Sequence, residues 1–81
     1  MDMERAAMRG KLAEAKERAD QYRMKAEAIC RSIRMDLNVN LTNLEDMNIP
    51  QANMMMDDLS MTWAEYIAAM GDIARLQREL A

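Results

Sequence analysis

The side chains that ordinarily carry out chemistry are thinly supplied in this 81-residue chain, and histidine is missing altogether. Without an imidazole there is no Ser-His-Asp relay, and with one cysteine there are too few ligands for the common zinc sites. Binuclear carboxylate centres in helical bundles join Glu to Glu-x-x-His, so the same absence removes them. Cys30 has no partner for an intramolecular disulfide and no His or Asp at a spacing that would activate it as a nucleophile. Glu14 with Glu17, and Asp57 with Asp58, read as solvated helix charges rather than as acid and base. Gly10 and Gly71 stand alone, so no loop is built to cradle phosphate. The chain reads as a non-enzyme, with no catalytic, cofactor-binding or metal-ligating residue and no cofactor.

Two glycines and a single proline, Pro50, are far too few for an all-β fold, which needs a turn roughly every 8–12 residues. Nothing in the cysteine usage points to an oxidising compartment. The charged start Met1-Asp2-Met3-Glu4-Arg5 lacks the apolar core of a secretory signal. The longest apolar run, Ile67 to Met70, falls well short of the roughly 20 residues that span a bilayer. A soluble, cytoplasmic, all-α protein without a membrane partner is expected, as a single domain over residues 1–81.

Residues 3–36 predict one long helix, rich in Ala, Glu, Lys, Arg and Met. Met8, Leu12, Ala15, Ala19, Tyr22, Ala26, Ile29 and Ile33 recur at alternating gaps of 4 and 3, a heptad stripe. Glu14 with Arg18, and Glu27 with Arg31, are spaced to pair along the helix. Residues 37–48 predict a loop, because Asn38, Asn40, Thr42, Asn43 and Asn48 compete with helical hydrogen bonding. Leu37, Leu41 and Leu44 are expected to cover the open end of the core. A second helix over 49–80 starts with Asn48 as N-cap, Gln51 three residues later and Pro50 in the first turn. Its stripe is read as Ala52, Met56, Leu59, Trp63, Tyr66, Met70, Ile73, Gln77 and Leu80, again at gaps of 4 and 3.

Two stripes of one period joined by a loop predict an antiparallel, coiled-coil-like helical hairpin. One register sets Ile29 against Met56, Ala26 against Leu59, Tyr22 against Trp63, Ala19 against Tyr66, Ala15 against Met70 and Leu12 against Ile73. A rival one heptad away sets Ile33 against Leu59 and Ile29 against Trp63. The first is preferred because it balances the helix ends around the loop. Either buries Trp63, so Trp63→Ala would cost about 3–5 kcal/mol.

A hairpin of this size leaves much of its surface exposed, and the second helix holds apolar residues beyond its seam. Met55, Thr62, Ala69 and Leu76 lie on one flank, Ile67 and Ala74 on the other, and Met54 further round. These seven are the expected surface for self-association of two hairpins into a helical bundle, with reception of another protein by the Met-rich face as the further possibility. The first 36 residues carry nine basic and seven acidic side chains, the remaining 45 two and seven. That asymmetry favours antiparallel pairing. Arg9, Lys11, Lys16, Arg18, Arg23 and Lys25 flank the first stripe and disfavour parallel pairing of two copies through this helix. The alternative function, a small regulator contacting nucleic acid through Arg9, Lys16 and Arg23, is disfavoured. Glu14, Glu17, Asp20 and Glu27 interrupt the basic flank, and no aromatic platform for bases is present.

Two stretches carry a family likeness: Ser32-Ile33-Arg34-Met35-Asp36-Leu37 through Leu44-Glu45-Asp46-Met47, and Ile73-Ala74-Arg75-Leu76-Gln77-Arg78-Glu79-Leu80. Over roughly residues 11–81 the chain resembles small helical proteins encoded by Mu-like bacterial prophages. Those have a long helix of mixed charge, an Ile-Arg-x-x-Leu turn, a Leu-Glu-Asp loop and a second helix ending in Arg-x-x-Glu-Leu. The Asn-rich loop and the run Met54-Met55-Met56 depart from that pattern. The resemblance implies a bacterial cytoplasmic setting and a phage accessory role, and assigns no site residue.

Overall fold

A computed structural model describes residues 2–81. The architecture is all-α: α1 (Met3–Asp36), a single 3-10 turn at Leu44–Asp46, and α2 (Ile49–Leu80) packed along α1. The result is a rod with extents of 66 × 17 × 14 Å. Both helices occupy the ranges expected from propensity and caps.

The start of α2 follows from local chemistry. The Asn48 side-chain carbonyl accepts the Gln51 backbone N–H at 3.1 Å, and its amide donates to Gln51 Oε1 at 3.0 Å. One otherwise orphaned helical donor is thereby satisfied, and Pro50 in the first turn removes another. At the opposite end of the rod, the Arg5 guanidinium donates to the Leu80 carbonyl at 2.9 Å. A cation on α1 thus answers the partial negative charge at the C-terminus of α2. This contact and the Arg18–Asp72 pair at 3.9 Å anchor the relative height of the helices.

The loop differs from expectation. Leu37, Leu41 and Leu44 are 44%, 69% and 73% exposed and do not cap the core. Local bonds hold the segment in turns of its own: Asn38 Oδ1 accepts from Asn40 N–H, the Asn38 carbonyl accepts from Leu41 and Thr42, and that of Asn43 from Asp46. With its polar groups satisfied locally, the loop closes the hairpin without folding back over it.

Gly10 and Gly71 both sit inside helices without a positive φ. A Cβ built on either meets nothing within 4 Å. Replacing Gly10 by Ala is therefore expected to raise the unfolding free energy by about 0.5–1 kcal/mol. A denaturant titration checks this; a loss of stability would mean that the first turns of α1 are not helical.

Candidate interaction surface

The seam between the helices decides what is left outside. On α1 the buried or half-buried positions are those of the expected stripe, Met8, Leu12, Ala15, Ala19, Tyr22, Ala26, Ile29 and Ile33, followed by Asp36 at the helix end. On α2 they are Ala52, Met55, Leu59, Thr62, Tyr66, Ala69, Ile73, Leu76 and Leu80, with Asp72 half-buried at the edge of the seam. Five of the nine expected α2 positions (Ala52, Leu59, Tyr66, Ile73 and Leu80) are thus buried or half-buried, and the other four are displaced by one residue. Met56, Trp63 and Met70 are 47%, 59% and 43% exposed, and Gln77 is exposed as well. Thr62, Ala69 and Leu76, expected outside, are only 3–4% exposed. Trp63 therefore lies outside the seam, and the expected penalty for truncating it does not follow. The height of the helices, with Arg5 bonded to Leu80 and Ala26 beside the same groove as Leu59, is that of the first register rather than the rival.

Side-chain size gives the physical reason. Ala15 and Ala19 on α1 and Ala52 and Ala69 on α2 are all buried, and small side chains in a seam let helix axes approach toward the close end of the 8–10 Å range. An indole cannot enter such a seam without prising it open.

The two long edges of the hairpin differ in character. Along one, Arg18 meets Asp72 at 3.9 Å; heptad spacing puts Lys11 and Lys25 beside Arg18, and Asp58, Glu65 and Glu79 beside Asp72. A basic edge of α1 thus runs alongside an acidic edge of α2. Such exposed pairs contribute little stability, but they favour the antiparallel match. The expected pairs Glu14–Arg18 and Glu27–Arg31 are replaced: Arg18 reaches Asp72, and Glu27 is bonded by Arg23 at 3.4 Å.

The other edge is apolar. Ala26 on α1 with Met56, Leu59, Trp63 and Tyr66 on α2 line a groove of about 520 Å³, rimmed by Arg23, Glu27, Cys30 and Ser60. Arg23 bonds both Asp20 at 3.3 Å and Glu27. The hydrogen bond that Arg23 donates to Asp20, and then the charge of Glu27, raise the Arg23 pKa above its ordinary value, so the rim carries a permanent cation. From the groove an exposed stripe continues along α2: Met56, Ser60, Trp63, Ile67, Met70, Ala74 and Gln77, at gaps of 4 and 3. This is a second heptad stripe, turned from the first by about a quarter of the helix circumference. Ile67 and Ala74 were expected on this outer surface and are there; Met54 is also exposed, further round the helix, and Met55 is half-buried in the seam.

No family model, curated protein or solved structure matches this chain. Among the described residues no group of three or more His, Cys, Asp or Glu is placed to hold a metal ion. Among the described residues no helix is long and apolar enough to cross a membrane. The feature that stands out on the surface is therefore the apolar stripe of α2 and its groove.

Proposed function

We propose that this protein is a non-enzymatic helical interaction protein that works by self-association, with the second stripe of α2 as its binding surface. One observation carries the reading: the only tryptophan lies 59% exposed in line with Met56, Ile67 and Met70, themselves 43–47% exposed. An indole flanked by aliphatic and thioether side chains is the composition of an interface centre. A helix with a heptad stripe on two faces is normally covered on both. Burial of the first seam uses mainly alanines, which supply little transfer free energy, so covering the second adds stability that the hairpin lacks alone.

The resemblance to Mu-like prophage proteins supports a setting for this activity: a cytoplasmic accessory protein of phage origin, acting as an assembled helical unit.

Static light scattering at micromolar concentration is expected to give a mass of at least twice 9.3 kDa, with Trp63 emission shifting to the red on dilution as the indole becomes solvated. A monomeric mass at tens of micromolar, with red emission throughout, overturns the proposal.

A further inference from the structure

The pattern around the second stripe also bears on how two copies meet, an inference that rests on the self-association reading above. We infer that two hairpins pair α2 to α2 in antiparallel orientation about a two-fold axis between Trp63 and Ile67, closing a four-helix bundle in which α1 meets the partner's α1.

Size matching is the first support. About that axis Trp63 falls opposite the partner's Ile67, Met56 opposite the partner's Ala74, and Met70 opposite the partner's Ser60. Large side chains thus face small ones at both ends of the stripe, and the bulky pair lies at its centre, where an interface excludes water best.

Charge is the second. Asp57, Ala64, Gly71 and Arg78 follow one another at heptad spacing on the outer flank of the stripe. Antiparallel pairing brings Asp57 within about one and a half helical turns of the partner's Arg78, in reach of the long arginine side chain, with the small Ala64 and Gly71 at the middle where backbones come closest. Parallel pairing in register would instead oppose Asp57 to the partner's Asp57 and Arg78 to the partner's Arg78.

The third support comes from the other helix. Lys16, Asp20, Arg23 and Glu27 alternate in sign along the groove side of α1 and are all exposed. Arg23 lines the groove with Trp63 and Tyr66, so this run lies level with the centre of the α2 stripe. A two-fold rotation at that level sets Lys16 against the partner's Glu27 and Asp20 against the partner's Arg23. The run is complementary to its own reversal, and a parallel arrangement would superpose like charges. Two helices, one apolar and one charged, thus call for the same symmetry at the same height.

Spin labels on the acidic edge, away from the interface, test the orientation. In a Cys30→Ser background, Glu65→Cys and Glu79→Cys are labelled and the distance between copies is measured by pulsed dipolar spectroscopy. The antiparallel bundle requires a short separation at 65 and one of about 40 Å or more at 79, from roughly 14 residues of helix on each side of the axis. Asp57→Arg or Arg78→Asp alone is expected to weaken dimerisation about tenfold, and the double reversal to restore it to within about threefold. Equal short distances at 65 and 79 would show parallel pairing, and long distances at both a different interface. Either result overturns this inference while leaving self-association standing; a wild-type protein that remains monomeric removes both.

Discussion

Trp63→Glu is expected to abolish self-association while leaving the hairpin helical. Trp63 is 59% exposed in the single chain, so a carboxylate there is solvated in the monomer and strands a charge only when the stripe is covered. Losing the central aromatic and burying a charge together should raise the dissociation constant at least 100-fold, close to 3 kcal/mol. Sedimentation velocity reads the mass, and circular dichroism shows whether the helices persist. The melting temperature of the wild type should rise with concentration by mass action, while that of the variant should not. A variant that still associates like the wild type would place the interface elsewhere.

Leu76→Ala should have the largest effect on the hairpin itself. Leu76 is 4% exposed and, with Ile33, one of the two large aliphatic side chains buried in the seam. Truncation removes three carbons' worth of buried surface and leaves a void, at a cost of about 2–3 kcal/mol. For a domain of this size that is a large part of the total stability. The control is Trp63→Ala in the monomer, expected to lie within about 0.5 kcal/mol of the parent because an exposed side chain loses little on truncation. Chemical denaturation of both variants decides. The reverse ranking, with Trp63→Ala severe and Leu76→Ala mild, would restore the seam through Met56, Trp63 and Met70.

That ranking marks where the residue pattern stopped being informative. The α1 stripe from Met8 to Ile33 has only one apolar solution at heptad spacing, flanked by Arg9, Lys16 and Arg23 on one side and Lys11, Arg18 and Lys25 on the other; charge leaves no choice of face. The ends of α2 were equally legible, because Asn48, Pro50 and Gln51 combine into a start signal whose geometry is local. On α2, however, Ala52, Leu59, Tyr66 and Ile73 belong equally to a stripe completed by Met55, Thr62, Ala69 and Leu76 and to one completed by Met56, Trp63 and Met70. Hydrophobicity alone favours the second, since Trp and Met outweigh Thr and Ala. The packed hairpin takes the first: Thr62, Ala69 and Leu76 are buried with the small Ala15 and Ala19, and Trp63 is left 59% exposed. The loop leucines misled for a related reason: apolar character suggested burial, while Asn38 and Asn43 held the backbone in turns that keep Leu41 and Leu44 outside.

By itself the chain's residue order determined an all-α hairpin, the span of both helices and the face of α1 that turns inward, since period, capping and charge act within a few residues of one another. Only the tertiary structure decided which face of α2 meets α1, and hence which apolar stripe stays outside. That choice depends on fit between side chains some fifty positions apart in the chain, and steric fit leaves no trace in the periodicity of either helix alone.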